Sequence, residues 1–270
     1  MATLSSERPL AVVTGASSGI GYELARQFVA NGFDLVICAE EDDIYDAAHT
    51  LSTDGTNVHA VQLDLRSYEA VERFWSEIEL RGVPVEAIAI NAGVGVGGDF
   101  ARETSLAEEL AMIELNVMST VHLAKLAARD MVARGKGRIL ITASQASTMP
   151  TPLSAVYGAT KAFDLSFAAS LRHELKDSGV TVTALMPGPT DTEFFERAGI
   201  TDTKLAEEAE MNSPADVAKQ GFAALMAGKD RVYAASSVTT KLQTAAARFM
   251  PEGAKAAMHQ KKAEPGSRGS

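Results

Sequence analysis

Residues 10–21 read Leu-Ala-Val-Val-Thr-Gly-Ala-Ser-Ser-Gly-Ile-Gly, and this stretch decides the fold. The apolar, β-branched run Leu10–Thr14 predicts a short buried strand, and apolar residues at helical spacing begin after Gly21. Gly15 and Gly19 allow a sharp turn, while Gly21 allows a helix to lie close to the sheet. A glycine-rich turn before a helix N-terminus directs backbone N–H groups at an anion. The stretch therefore predicts a phosphate-binding turn, although its Gly-x-x-x-Gly-x-Gly spacing differs from Gly-x-Gly-x-x-Gly.

Strand-like and helix-like segments alternate along the rest of the chain. The predicted strands after the first are Phe33–Ala39, Val58–Leu63, Val85–Ile90, Arg138–Ala143, Val180–Met186 and Arg231–Ala234. The predicted helices after the first are Ile44–Leu51, a helix capped by Ser67, Leu106–Ala133, Ala155–Lys176 and Ala215–Met226. This alternation predicts an α/β fold with a parallel sheet and helices on both faces. Ligands of such sheets bind beyond the carboxyl ends of the strands.

A second motif lies in the other half of the chain. Tyr157 and Lys161 form a Tyr-x-x-x-Lys pair, and Ser144 lies 13 residues before the tyrosine. Residues four apart in a helix share a face, so the phenol and the ammonium can meet beside one ligand. A neighbouring cation lowers the pKa of a tyrosine, which is ordinarily ~10, because it stabilises the phenolate. A Tyr-x-x-x-Lys pair that stands alone is usually a tyrosine with a lysine beside its ring. Here the phosphate-binding turn accompanies the pair.

The order of these motifs resembles that of the short-chain dehydrogenase/reductase family. The resemblance covers about residues 10–235 and rests on Thr14–Gly21, Asn91-Ala92-Gly93, Asn116, Ser144, Tyr157, Lys161 and Pro187-Gly188. It departs at Ile90, where the family usually has a further asparagine. The resemblance implies a single doubly wound domain of Rossmann type. Its parallel sheet would have seven strands in the order 3-2-1-4-5-6-7.

The resemblance also implies four catalytic residues. Tyr157 would be the general acid/base, and Ser144 would hydrogen-bond the substrate oxygen. Lys161 would hold the nicotinamide ribose and lower the pKa of the tyrosine. Asn116 would bind a helix carbonyl and a water that connects Lys161 to solvent.

A nicotinamide dinucleotide is the cofactor that the resemblance implies. The expected cofactor-binding residues are Gly15, Ser17, Ser18, Gly19, Ile20, Gly21, Glu40, Asp64, Leu65, Asn91, Ala92, Gly93, Tyr157, Lys161, Pro187, Gly188, Thr190 and Thr192. Asp64 would contact the adenine, and residues 187–192 would face the carboxamide and the phosphates. Residues 193–212 lie where the family places a substrate lid. Phe194 and Phe195 would either line an apolar pocket there or anchor the loop.

The acidic residues after the second predicted strand favour NAD over NADP. A carboxylate at Glu40 could accept hydrogen bonds from the ribose diol and would repel a 2′-phosphate. Glu41, Asp42 and Asp43 add negative charge. NAD-selective relatives usually carry the acid one residue earlier, at Ala39 here. Glu40 could therefore instead face solvent at a helix N-terminus, where acids suit the dipole.

Composition narrows the classes of ligand and partner. A net charge of −10 argues against nucleic acid and anionic membranes, and no segment reads as the 18 or more apolar residues of a membrane span. The five histidines lack metal-ligand spacing, so no metal site is expected. A polar N-terminus without signal-peptide features, and a single cysteine, Cys38, fit a reducing cytoplasm.

The sequence predicts one main domain. We expect a flexible N-terminus over residues 1–9 and the dinucleotide-binding and catalytic domain over 10–235. A helical extension over 236–261, broken at Pro251, and a disordered tail over 262–270 would follow. Apolar residues along Leu106–Ala133 and on the helix after Tyr157 predict a homodimer or homotetramer with a twofold interface.

The expected activity is hydride transfer between a nicotinamide cofactor and a small to medium, largely apolar alcohol or ketone. A dinucleotide-sensing regulatory protein without turnover remains open, although such proteins usually lose the tyrosine or the lysine. A scaffold protein that uses only the fold is a further class. A reductase of 3-ketoacyl groups on an acidic carrier protein also remains open, but the predicted lid is itself acidic.

Overall fold

A seven-stranded parallel sheet forms the centre of the computed structural model, which describes residues 8–52, 55–207, 211–234 and 251–267. Its strands are β1 Leu10–Thr14, β2 Asp34–Ala39, β3 Val58–Gln62, β4 Val85–Ile90, β5 Gly137–Thr142, β6 Val180–Pro187 and β7 Arg231–Ala234. They are ordered β3-β2-β1-β4-β5-β6-β7, which confirms the predicted fold class and strand order. The strand ends differ from the predicted ones by no more than one residue.

The described helices are α1 Gly19–Ala30, α2 Asp43–Leu51, α3 Tyr68–Glu79, α4 Leu106–Ile113, α5 Thr120–Arg134, α6 Ala155–Glu174, α7 Phe194–Arg197, α8 Lys204–Glu207, α9 Pro214–Met226 and α10 Glu252–Ala263. Ser67 caps α3 as predicted, because its Oγ accepts a hydrogen bond from the Ala70 N–H at 3.1 Å. The predicted helix Leu106–Ala133 is instead two α-helices joined by a wider π-helical turn, Glu114–Ser119. Wide turns of this kind occur often at functional sites.

Two apolar clusters hold the helices on the two faces of the sheet. Helices α3, α5 and α6 pack on one face, with Phe74, Leu123 and Ala168 among their buried residues. Helices α1, α2 and α9 cover the other face, where Phe28 and Phe222 meet edge to face at 5.1 Å. The clusters alternate along the strands, since successive side chains point to opposite faces. Because neighbouring strands are all parallel, their carboxyl ends lie at one edge of the sheet.

Residues 106–134 form a helical segment of 29 residues that is long and apolar enough to cross a membrane by length and composition. The expectation that no segment reaches that threshold was therefore wrong. Leu123, Ala127 and Met131 on this segment are fully buried in the cluster beneath the sheet. Less than half of its apolar stretch is buried, so packing in the core accounts for only part of its apolar character.

The C-terminal segment differs from the predicted disordered tail. Helix α10 follows Pro251, as the predicted break suggested, but it continues through Ala263. Beyond it, Ser267 Oγ accepts a hydrogen bond from the Lys204 N–H of α8 at 3.0 Å. Residues 1–7, 235–250 and 268–270 lie outside the described residues, so the predicted domain boundaries stay predictions.

Candidate active site

The glycine-rich turn between β1 and α1 has a backbone that favours glycine. Gly15 and Gly19 have φ angles of +66° and +55°, which side chains rarely allow. The N–H groups of Gly15 and Ala16 both donate to the Cys38 carbonyl, at 2.7 and 3.2 Å, and hold the turn against the end of β2. A Cβ on Gly21 would lie 1.8 Å from the Gly15 carbonyl oxygen. The close approach of α1 to the turn therefore requires glycine at 21.

The N-terminus of α1 has neither a side-chain cap, which Ser18 could have supplied, nor an acidic residue in its first turn. The positive end of the helix is thus neither capped nor neutralised locally. Thr192 borders the turn from the other side, since its Cγ2 lies 3.0 Å from the position of a Cβ on Gly19. The turn and the segment after β6 therefore lie side by side, and their binding of a cofactor stays a prediction.

Asn91 joins the carboxyl ends of three neighbouring strands. Its N–H donates to Thr14 Oγ1 at 3.0 Å, and its Nδ2 donates to the Thr14 carbonyl at 3.2 Å. Its Oδ1 accepts a hydrogen bond from Thr142 Oγ1 at 3.0 Å. The Ala92 N–H also donates to Thr14 Oγ1 at 3.0 Å. Thr14 and Thr142 were not predicted as site residues, yet they hold the Asn91-Ala92-Gly93 loop in place.

Asn116 lies in the π-helical turn and is fully buried. Its Oδ1 accepts a hydrogen bond from the Val94 N–H at 3.0 Å, and its Nδ2 donates to the Val94 carbonyl at 2.9 Å. The same Nδ2 contacts Thr160 Oγ1 on α6 at 3.1 Å. The carbonyl that the Asn116 side chain binds thus belongs to the loop after β4. The prediction that Asn116 binds a helix carbonyl was wrong. The side chain joins that loop to α6 immediately beside Lys161.

Ser144 and Tyr157 meet at the carboxyl end of β5. Ser144 Oγ accepts a hydrogen bond from the Ala146 N–H at 3.1 Å, and the Ser144 N–H donates to Ser147 Oγ at 3.1 Å. Ser147 Oγ in turn donates to the Lys161 carbonyl at 2.7 Å, which ties this short turn to α6. The Ser144 hydroxyl acts on the phenol of Tyr157, where it lowers the pKa. Ser147 is a supporting residue that the motif search did not identify.

The electrostatic balance at Tyr157 differs from the predicted one. Burial raises the pKa of Tyr157 above its ordinary value, and the opposing effects of the Lys161 charge and the Ser144 hydrogen bond are smaller. Lys161 does act in the predicted direction, but the net change in pKa is upward in the protein alone. The phenol is therefore protonated at neutral pH, and in that state it can donate a proton to a carbonyl oxygen.

Lys161 is buried and paired within the protein. Its Nζ donates to the Thr142 carbonyl at 2.9 Å and to Asp164 Oδ2 at 3.1 Å. A Cβ on Gly93 would lie 3.2 Å from this Nζ, so the ammonium borders the loop after β4. The buried carboxylate of Asp164 was missed in the sequence. Its signal was an acid one turn beyond the lysine, within the apolar run Ala162-Phe163-Asp164-Leu165.

Arg66 forms ion pairs with two carboxylates at the end of the cleft where the adenosine is predicted to bind. Glu40 and Asp64 are both exposed, and both pair with the Arg66 guanidinium, Asp64 at 2.8 Å. Glu40 thus reaches across to the end of β3 and does not simply face solvent. The Leu65 side chain lies in the core cluster beneath the sheet, so it does not line the cleft. On the other side of the turn, Ser17 Oγ lies 3.4 Å from a carboxylate oxygen of Glu41.

Phe194, in the described part of the predicted lid, lies against the ring of Tyr157. The Phe194 ring centroid is 5.2 Å from that of Tyr157, and a Cβ on Gly95 would lie 2.5 Å from the Phe194 ring. Arg197, at the end of α7, pairs with Glu193 at 2.7 Å and with Glu41. Phe194 therefore forms an apolar wall of the site, while Phe195 packs against it edge to face at 5.8 Å. Of the two open interpretations, Phe194 matches the pocket lining.

The described residues give little support to a catalytic cysteine or a metal site. Burial raises the pKa of the Cys38 thiol to about 12, so it is not a reactive nucleophile. No group of three or more histidine, cysteine or acidic side chains is arranged to hold a metal ion in the described part of the chain.

Comparison with known proteins agrees with this geometry. The family model for short chain dehydrogenases matches residues 9–203. The chain belongs to the short-chain dehydrogenase/reductase family. It is therefore an oxidoreductase with a fold that binds NAD(P), although its substrate is not identified by this membership.

Three relatives illustrate the range of this family. The chain is 34% identical over 236 residues to the 1-deoxy-11-beta-hydroxypentalenate dehydrogenase of Streptomyces exfoliatus, covering 86% of this chain and 84% of the relative. It is 31% identical over 179 residues to the NADP-dependent 3-hydroxy acid dehydrogenase YdfG of Salmonella typhi, covering 66% and 71%. A solved short-chain dehydrogenase from Sphingobium yanoikuyae in complex with NADPH superposes with a TM-score of 0.78 at 29% identity, covering 88% and 92%.

We predict that Gly21→Ala weakens dinucleotide binding about tenfold or more, a change of roughly 1.4 kcal/mol. The added methyl group would push the N-terminus of α1 away from the Gly15 carbonyl. Titration calorimetry with NADH and NADPH measures the effect. Gly253→Ala is the matched control, because a Cβ there meets nothing within 4 Å. Unchanged affinity in a folded Gly21→Ala protein would contradict the assignment of this turn.

Proposed function

We propose that this protein interconverts a small to medium, largely apolar ketone and the corresponding alcohol, with a nicotinamide dinucleotide as cofactor. The observation that carries the proposal is the position of Tyr157, whose pKa Lys161 and Ser144 both act to lower and whose ring centroid lies 5.2 Å from that of Phe194. A partly buried phenol that is protonated at neutral pH is a suitable acid for a carbonyl oxygen.

Tyr157, Ser144 and Lys161 would have different roles in the reaction. During reduction, Tyr157 would donate its proton to the substrate oxygen while the Ser144 hydroxyl donates a hydrogen bond to the same atom. The Lys161 ammonium would stabilise the phenolate that remains. The bound nicotinamide supplies the hydride. In the oxidation direction the phenolate would accept the proton of the alcohol.

The lid supports an apolar substrate. Phe194 presents its ring to the tyrosine, and the lid backbone approaches the loop after β4 so closely that the Gly97 N–H donates to the Ala198 carbonyl at 3.0 Å. Glu193 and Glu196 add negative charge to the outside of this segment. An acidic carrier protein would be repelled there, which argues against a carrier-bound 3-ketoacyl substrate.

We predict that Tyr157→Phe folds and binds dinucleotide but loses turnover by a factor of roughly 10²–10⁴, since the positioned acid/base is absent. Turnover is followed at the nicotinamide absorbance with a panel of free ketones, aldehydes and alcohols. Tyr45→Phe is the matched control, because Tyr45 is 53% exposed on α2, outside the site. More than a tenth of the activity remaining in Tyr157→Phe would refute the assignment. No turnover of any compound by a wild-type protein that binds dinucleotide would favour the sensing class.

We also propose that the protein prefers NAD to NADP. The cleft beside the second strand carries Glu40 and Glu41, and the cations nearest to them, Arg66 and Arg197, are already paired with these carboxylates. A 2′-phosphate would have to compete with the carboxylates for either guanidinium. The Salmonella relative is named NADP-dependent and the Sphingobium neighbour holds NADPH, so this preference is a proposal that relies on the chain's own charges.

We predict that Glu40→Arg moves the ratio of NADH to NADPH dissociation constants about tenfold toward NADPH. The change replaces repulsion with a charge-assisted contact to the 2′-phosphate. Glu108→Arg, the same charge reversal at an exposed residue of α4, should leave the ratio unchanged. Tighter binding of NADPH than NADH by the wild-type protein would overturn the proposed preference.

We also propose that the protein forms a homodimer or homotetramer and acts in the cytoplasm. Exposed apolar side chains on α4, α5, α6 and the π-helical turn are Leu106, Leu110, Met118, Val132 and Phe163. Such a surface can be buried by the same surface of a second copy around a twofold axis. We predict by light scattering at micromolar concentration a mass of two or four times 28.5 kDa. A monodisperse monomer would contradict the proposal.

A further inference from the structure

Asp164 places a carboxylate inside the protein, one helical turn beyond Lys161. Its side chain is 1% exposed, and the Lys161 side chain is 6% exposed. The carboxylate oxygen Oδ2 lies 3.1 Å from Lys161 Nζ. The other oxygen, Oδ1, is buried without a hydrogen-bond partner among the described residues. The carboxylate is therefore directed at the ammonium and is incompletely satisfied.

Stability alone is a poor reason for this arrangement. Removing two charges from water carries a large desolvation penalty, and apolar residues of similar volume often replace a buried ion pair without loss of stability. The unpartnered Oδ1 adds a further penalty. Burial also raises the pKa of Asp164, against the opposing effect of Lys161. A carboxylate retained here calls for a role beyond holding the helix.

The hydrogen bonds of Lys161 suggest the first part of that role. An ammonium has three N–H donors. Two are directed within the protein, to the Thr142 carbonyl and to Asp164. The third is left for the cleft, where the proposed function places the nicotinamide ribose. With two donors held, the direction of the third is restricted.

The charge of Asp164 supplies the second part. Tyr157 precedes Asp164 by seven residues in α6, which corresponds to about 10 Å along a helix. The charged groups that act on Tyr157 are Lys161, which favours the phenolate, and Asp164, which opposes it. The neighbouring elements present neutral groups: Asn116 from the π-helical turn, the Thr142 carbonyl from β5, and Ser144.

We propose that Asp164 is a positioning residue that orients the Lys161 ammonium and partly offsets its charge, so that Tyr157 stays protonated to higher pH. The proposal rests on the proposed acid/base role of Tyr157. Its effect is to extend reduction to more alkaline pH, because reduction needs the protonated phenol and oxidation needs the phenolate.

The sign of the effect can be tested with Asp164→Asn, which keeps the shape and a hydrogen-bond acceptor but removes the charge. Loss of a negative charge about 10 Å away should lower the pKa of Tyr157 by about one unit at an effective dielectric constant of ~20. Glu174→Gln is the matched control, since it makes the same change at an exposed residue of the same helix, about 25 Å from Tyr157.

Tyrosinate absorbance measures this ionisation without requiring turnover. Each protein is titrated over the pH range in which circular dichroism shows it folded, and the titration of the same protein carrying Tyr157→Phe is subtracted. We expect the Tyr157 phenolate to appear about one pH unit lower in Asp164→Asn than in the wild type and in Glu174→Gln. Superimposable difference titrations, including no ionisation in either protein, would overturn the proposal.

Kinetics and binding separate this inference from the proposed function. The alkaline limb of kcat/KM for ketone reduction should move to lower pH by the same amount in Asp164→Asn. Asp164→Leu, which also removes the acceptor, should weaken dinucleotide binding about fivefold or more, whereas Asp164→Asn should bind within about twofold of wild type. Equal binding by all three proteins would overturn the orienting role. A shifted titration in a protein without turnover would uphold the Asp164 inference and refute the proposed function.

Discussion

The hydrogen bonds of Asn91 connect the parts of the site that must stay in register. They join the ends of β1, β4 and β5 through Thr14 and Thr142. The phosphate-binding turn continues from β1, the Gly93 loop from β4, and the Ser144 turn from β5. A parallel sheet places these strand ends side by side but does not itself fix the loops beyond them. The hydrogen bonds of Asn91 fix those loops relative to one another and so define the cleft.

Helix α6 depends on the same edge of the sheet. Lys161 Nζ donates a hydrogen bond to the Thr142 carbonyl, and Ser147 Oγ donates one to the Lys161 carbonyl. The Asn116 side chain connects Thr160 to the Val94 backbone. These contacts are local, buried and mostly neutral. A small change in the position of α6 would alter the distances on which proton transfer depends, so the polar contacts matter more for geometry than for total stability.

The sequence predicted the elements well because the strands are apolar runs between clear turn residues, as Leu10–Thr14 and Val85–Ile90 illustrate. Features that depend on contacts across the fold were harder to predict. The π-helical turn shares its apolar periodicity with an ordinary helix, and the partner of Asn116 lies 22 residues away in a loop. Leu65 was itself predicted to bind the cofactor, but its side chain turns into the core. Asp164 looks like an ordinary helix acid until the position of Lys161 is known.

The pairing of Arg197 with Glu41 links the lid to the loop that follows β2. Both side chains are partly exposed, and ion pairs of this kind contribute roughly 0–1 kcal/mol. The Phe194 contact with Tyr157 is likewise a single aromatic pair. An ion pair of this strength can separate and re-form at little cost in free energy. The lid is thus attached weakly to the loop after β2, while the Gly97–Ala198 hydrogen bond holds it to the loop after β4.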